Sequence, residues 1–168
     1  PSLSGVPQNI QVSCDAIPAS PEVTASDNCS DAVVDLGEVR TLGRCIGEQT
    51  IKRTWTATDD CGNDTSQSQT ITVVDQAAPQ LTGVPADRLA ECDAVPLPAV
   101  VSATDNCSNA PVVLKETVVD GSCDGDWLLT REWSATDSCG NRTARTQRIT
   151  VEDTTAPKLS GVPSDAIV

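Results

Sequence analysis

The sequence contains no histidine, methionine, phenylalanine or tyrosine. Imidazole general-base catalysis, Cys-His or Ser-His nucleophiles and histidine metal ligands are therefore absent, which weakens nearly every enzyme class. Basic residues are scarce as well: Lys plus Arg number 11 against 24 Asp plus Glu, a net charge of −13 over 168 residues. Such a balance excludes a nucleic-acid footprint. Apolar runs last only a few residues, far too short to insert into a membrane. The opening PSLSGVP has neither the basic end nor the apolar stretch of a secretory signal. Together with the lack of an initiator Met, this start reads as that of a mature or excised piece.

What is present is cysteine. Eight residues, Cys14, Cys29, Cys45, Cys61, Cys92, Cys107, Cys123 and Cys139, fall into two groups of four at matched spacing. An even number so arranged points to disulfides and an extracellular or cell-surface location. The competing reading is zinc, but no Cys-x-x-Cys pair occurs and no His is there to complete a site.

The matched spacing is part of a repeat. A shift of 78 residues superimposes Cys14 on Cys92, Cys29 on Cys107, Cys45 on Cys123, Cys61 on Cys139 and Trp55 on Trp133 without a gap. PSLSGVP at 1–7 returns as PQLTGVP at 79–85 and as PKLSGVP at 157–163. The expected organisation is one repeat over 1–78, a second over 79–156, and the first strand of a third over 157–168. That last segment either continues into a third repeat or completes the sandwich of a neighbouring subunit by strand addition. A unit of this length is a small autonomous domain rather than a solenoid repeat.

The two copies also reveal which face of each strand is buried, because side chains alternate with period two. Over 50–59 the identities fall at Arg53, Trp55, Ala57 and Asp59, with Ile51 answered by Leu129. Val23, Ala25 and Asp27 repeat the pattern, as do Ala32, Val34, Leu36 and Glu38, and then Gln69, Ile71, Val73 and Asp75. No helical periodicity competes. Each repeat is expected to be an all-β sandwich of at least five strands, near 6–14, 22–27, 32–40, 50–59 and 66–74.

If successive strands run antiparallel, Cys14 and Cys45 lie at the trailing end of a repeat and Cys29 and Cys61 at its leading end. That parity favours Cys14 with Cys45, Cys29 with Cys61, Cys92 with Cys123 and Cys107 with Cys139. Each such bridge would close a loop of roughly 30 residues and contribute about 3 to 4 kcal/mol. The short connection Asp75–Pro79 hands the chain directly to the next repeat. Repeats arranged end to end would form a rod advancing on the order of 35 to 45 Å per unit.

Around Cys14-Asp-Ala, Ala25-Ser-Asp-Asn-Cys-Ser30 and Thr54-Trp-Thr-Ala-Thr-Asp-Asp-Cys-Gly-Asn63, the sequence resembles the hyalin-repeat (HYR) type of immunoglobulin-like module. It is closest in kind to the cysteine-bearing version found in arrays in large microbial surface and secreted proteins. The resemblance implies a β-sandwich, a role in adhesion or extracellular scaffolding, and no catalytic residues.

Four further groups invite function. Asp75, Asp105 and Asp137 are expected to face one another where the repeats meet, which makes calcium the one candidate cofactor. The favoured alternative is that such aspartates cap their own turns. Asn28, Asn63, Asn106 and Asn141 each head an Asn-x-Ser/Thr sequon and are candidate glycan acceptors or simply turn residues. Trp127, in an acidic loop, is either a contact site for glycans or a protein partner, or local packing beside Cys123. Arg53 and Arg131 share a face with their tryptophans, suggesting cation-π or salt-bridge roles.

The reading that follows is a structural module of an extracellular filament or long surface protein, partnered by copies of itself or by adjoining repeats. An adhesive binding module is the alternative.

Overall fold

The structure is a computed structural model describing residues 1–161. It contains twelve strands: β1 (Ser2–Ser4), β2 (Ile10–Ser13), β3 (Thr24–Ser26), β4 (Ala32–Leu42), β5 (Gln49–Asp59), β6 (Asp64–Val74), β7 (Gln80–Thr82), β8 (Arg88–Glu91), β9 (Ser102–Thr104), β10 (Val112–Asp120), β11 (Trp127–Thr136) and β12 (Arg142–Glu152). No helix occurs among the described residues, and none is long and apolar enough to cross a membrane. The expected strand over 157–168 lies largely outside the described residues, and Pro157–Ser160 form no strand.

The first six strands make a four-stranded sheet in the order β2-β6-β5-β4 and a two-stranded sheet, β1-β3. The next six repeat both arrangements, as β8-β12-β11-β10 and β7-β9. Facing sheets of this kind are sandwich-like, and the all-β reading of the sequence is borne out.

The alternation on β5 is the reason the sandwich closes. Ile51, Arg53, Trp55 and Ala57 point inward and are buried, Trp55 with only 2% of its surface exposed. On β6, Gln69, Ile71 and Val73 continue that face. Ile51, Ile71 and Val73 form one cluster, with Val12, Cys14 and Ile17 packed against it. In the second repeat the core divides between Leu81, Trp133 and Ala135 on one side and Leu129, Ile149 and Val151 on the other.

The first expected strand is shortened to β2, and a further strand, β1, precedes it. Instead of a continuous run over 6–14, the chain pairs Leu3 with Ala25 in the small sheet, then crosses to the large one, where Ile10 lies opposite Ile71. Gly5, at φ 86°, makes the crossing possible, since side chains rarely adopt that left-handed backbone. Consequently β2 runs parallel to β6 rather than antiparallel to its successor. The assignment of ends survives, because β6, β5 and β4 alternate in direction and β2 shares the direction of β6.

Buried polar groups brace the sandwich. Arg53 Nε donates to Glu38 Oε2 at 2.9 Å and its Nη2 to the carbonyl of Pro18 at 2.8 Å. Arg131 repeats this with Glu116 and Pro96, both at 2.8 Å. These arginines thus form ion pairs that reach over to the chain between strands. Gln69 Nε2 donates to the carbonyl of Gln8, and Gln147 Nε2 to that of Ala86.

Candidate functional site: the joint between the repeats

The register of the first large sheet gathers three segments at one end. Ser13 lies opposite Val74, so Cys14 and Asp75 emerge side by side, while Leu42 opposite Gln49 places the loop holding Cys45 next to them. That loop is closed by Gly43 N–H donating to Glu48 O at 2.8 Å and Glu48 N–H to Cys45 O at 3.2 Å. Against it stand two turns of the second repeat, around Asp105-Asn-Cys107 and Asp137-Ser-Cys139.

Both turns are built by their leading aspartates. Asp105 Oδ1 accepts from the amides of Cys107 and Ser108, at 3.0 and 2.9 Å. Asp137 Oδ1 accepts from those of Cys139 and Asn141, at 2.9 and 2.8 Å, and its Oδ2 takes the Asn141 side-chain amide at 2.8 Å. Side chains that satisfy their own turn in this way are the ordinary role of Asp before Cys or Asn. Burial pushes the Asp137 carboxyl up, yet the Asn141, Cys139 and Gly140 donors outweigh it and hold it below the usual range.

Disulfides cross the contact. Cys14 is bonded to Cys107, with Cα atoms 5.7 Å apart, and Cys45 to Cys139, with Cα atoms 5.1 Å apart. This overturns the expected pairing of Cys14 with Cys45, Cys29 with Cys61, Cys92 with Cys123 and Cys107 with Cys139. Cys14 and Cys45 do share an end, but the short connection after Asp75 brings the second repeat's turns up against that end, and the partners come from across it. Cys29, Cys61, Cys92 and Cys123 carry free thiols.

Hydrogen bonds follow the same route. Asn106 Nδ2 donates to Ser13 Oγ at 3.0 Å, Ser138 Oγ to the Ile46 carbonyl at 3.1 Å, and Asn141 Nδ2 to the Asp75 carbonyl at 3.2 Å. Two of the four sequon asparagines, Asn106 and Asn141, thus spend their amide nitrogens across the joint. Asn28 and Asn63 are exposed, although Asn63 Nδ2 donates to Asp59 Oδ2. Sequence reasoning found the asparagines but not this use of them, since nothing local distinguishes an acceptor amide from a bridging one.

Asp75 is the least comfortable group here. Only 5% of it is exposed, and while Oδ1 accepts from the Ala77 amide at 3.2 Å, Oδ2 is buried without a partner. Asp105 Oδ2 is in the same position. Burial pushes the Asp75 carboxyl up, opposed by the Ala77 amide and reinforced by the charges of Asp105, Asp137 and Glu48.

Of the expected Asp75, Asp105 and Asp137, the first two bring side-chain atoms together at the joint. The side-chain atoms that converge are one oxygen each from Asp75 and Asp105 and the sulfur of Cys107, which the disulfide already holds. Asp137 spends both oxygens on its turn. Calcium takes six to eight oxygens, so a site here would draw on carbonyl or water oxygens beyond these side chains.

Trp127 begins β11 at the far end of the second repeat and packs partly buried against the cluster of Leu129, Ile149 and Val151. A shallow recess of about 250 Å³ lies beside it, between Val119 and Glu152.

Residues 4–73, which include the first four cysteines, match the family described as a HYR-like domain with 4 cysteines. The resemblance seen around Cys14, Cys29 and Cys61 is thus borne out over that segment. No curated protein sequence matches the chain. Among solved structures, human mucin-like protocadherin EC1-2 aligns at 13% identity over 90% of this chain and 98% of that one, with a TM-score of 0.35. Drosophila N-cadherin EC1-4 aligns at 16% identity over 87% and 48%, again at 0.35. Protocadherin gammaB7 EC3-6, in a cis-dimer structure, aligns at 12% identity over 91% and 47%, at 0.36. The chain spans about half the length of the last two. Likenesses this loose carry no argument.

Proposed function

We propose that this chain, whose residues 4–73 are a HYR-like domain with 4 cysteines, is a length of an extracellular filament or long cell-surface protein. In this reading it is a stiff rod of β-sandwich repeats, 1–78 and 79–156, set end to end, and its role is structural rather than catalytic. The observation that carries the reading is the pair of disulfides, Cys14–Cys107 and Cys45–Cys139, each linking one repeat to the other. Two covalent ties between the same two repeats resist bending and twisting in a way that one flexible linker does not. Disulfides persist in oxidising surroundings, which supports a location outside the cell. The natural partners are copies of the chain or adjoining repeats, and exposed Asn28 and Asn63 are open to glycans only where that end carries no adjoining copy.

Electron microscopy of the native material, with and without a calcium chelator, tests this. Threads with an axial period of one or two repeats, unchanged by the chelator, are the expected result. Short rods that never associate would overturn the filament reading in favour of an adhesive module. Threads that collapse on chelation would mean that metal stiffens the joints after all.

A further inference from the structure

The four free thiols sit where the bonded ones do, one repeat along. Cys29 and Cys61 are the counterparts of the bonded Cys107 and Cys139, and Cys92 and Cys123 those of the bonded Cys14 and Cys45. Their surroundings are also reproduced. Asp27 Oδ1 accepts from the Cys29 amide at 3.0 Å, as Asp105 does from Cys107. Asp59 accepts from Cys61 at 2.9 Å and from the Asn63 side chain at 2.8 Å, matching Asp137 with Cys139 and Asn141.

At the other end, Asp126 N–H donates to Cys123 O at 3.1 Å and Gly121 N–H to Asp126 O at 2.8 Å, which is the Cys45 loop over again. Gly125 has the same φ of 99° as Gly47. Cys92 packs on Ile149 and Val151 as Cys14 packs on Ile71 and Val73. Both halves of the joint are therefore preformed, one at each end of the repeat pair. What differs is cover: Asp75 and Asn141 are buried or half-buried at the joint, whereas their counterparts Asp153 and Asn63 are exposed.

We propose that Cys92 bonds to Cys29, and Cys123 to Cys61, of an adjoining copy of this repeat pair, so that every joint carries two disulfides. The inference rests on the rod reading above and names its covalent connection. For each bond, two thiols give up two protons and two electrons to a disulfide oxidant, which is itself reduced to two thiols.

The new joint is not identical to the one described. Ser13, Ile46 and Ser138 are replaced by Glu91, Asp124 and Asp60. Glu91 still offers acceptors to an asparagine amide. Asp60, unlike Ser138, has no proton to give a carbonyl, so this joint loses one hydrogen bond and gains repulsion. The disulfides are left as its main tie.

The test is a tandem polypeptide in which residues 1–156 are followed directly by a second copy of the full chain. It is folded with oxidised glutathione and mapped as unreduced peptides by mass spectrometry. Expected are peptides joining Cys92 to the second copy's Cys29 and Cys123 to its Cys61, as abundant as Cys14–Cys107 and Cys45–Cys139. Only the four outermost thiols should remain open to alkylation. In the single chain, kept dilute enough that copies do not meet, all of Cys29, Cys61, Cys92 and Cys123 should alkylate after the same treatment.

Bonds between Cys29 and Cys61 or between Cys92 and Cys123 would overturn the proposal. So would middle thiols that stay free while Cys14–Cys107 forms. A tandem carrying Cys92→Ser and Cys123→Ser keeps the two original joints and should release the second copy's Cys29 and Cys61 to alkylation. The mapping is independent of microscopy: dispersed rods would end the filament reading and leave the linkages standing, and misplaced linkages would do the reverse.

Discussion

Cys45 and Cys139 stand 94 residues apart in sequence and 5.1 Å apart at their Cα atoms. With Cys14–Cys107, closing 93 residues, the pair makes two large loops that overlap over residues 45–107. In the chain-entropy account a loop of about 100 residues is worth about 4.7 kcal/mol to the folded state. The second bridge adds only a little less, because with the first in place it still closes about 60 residues, the stretches from Cys14 to Cys45 and from Cys107 to Cys139. Cys45→Ser with Cys139→Ser should therefore cost about 4 kcal/mol, and removal of both bridges about 8 kcal/mol, read from urea midpoints. Peptide mapping checks the pairing itself, and a Cys14–Cys45 peptide would restore the within-repeat connection.

Gly47 is the tightest point of that contact. Its φ is 99°, and a side-chain carbon placed there would come within 2.8 Å of Cys107 Cβ. Gly47→Ala therefore meets both backbone strain and a collision with a disulfide-bonded residue that has little room to retreat. A loss of about 2 kcal/mol is expected. Gly62, also at positive φ, has nothing within 4 Å, so Gly62→Ala isolates the backbone cost alone. The difference between the two variants in thermal unfolding measures the joint. Equal losses would mean that the contact at Gly47 yields freely.

How much of this was legible in the sequence depends on whether the signal was local. The inward face of β5 could be read because Trp55, Ala57 and Arg53 repeat at Trp133, Ala135 and Arg131, and alternation is a property of neighbouring residues. The ends of the strands followed from parity. The crossing at Gly5 did not, because one glycine in a strand pattern marks a bend without saying which sheet the chain joins next. Disulfide partners were the hardest. Cys14 and Cys45 were correctly brought to one end, but what faces that end is fixed by the connection after Asp75 and by the turns of another repeat. The free thiols of Cys29 and Cys92 are the visible sign that the repeat is not its own partner.

The ion pair of Arg53 with Glu38 should govern acid stability. Arg53 is 4% exposed, and the Glu38 carboxyl is held below its ordinary 4.5 by its hydrogen bond to Arg53 and then by Arg40. A carboxyl depressed in the folded state contributes stability that is present above the unfolded value and lost as pH falls through the folded one. Glu38→Gln should cost about 2 kcal/mol at neutral pH, where a charged bond becomes a neutral one. The difference from the parent should shrink steadily below pH 4.5 and vanish once Glu38 is protonated in both the folded and the unfolded chain. Chemical denaturation over that range reads the effect, and a pH-independent difference would assign Glu38 a packing role only.

Asp75 works in the opposite direction. Burial raises its carboxyl above the ordinary value, so the folded chain takes up this proton more readily than the unfolded one. Its contribution is therefore most favourable below the unfolded value and is lost as pH rises through the folded one. Asp75→Asn keeps an oxygen for the Ala77 amide, removes the buried charge, and gives the unpartnered position a donor facing Asp105. Stability at neutral pH should rise by about 1 kcal/mol, with no gain in acid. Unfolding followed in the presence of a chelator and again with calcium completes the test. A gain in both solutions means that Asp75 is an uncompensated charge relieved by the substitution. A loss seen only with calcium would mean that the carboxylate holds metal, and that oxygens beyond the converging side chains finish the site.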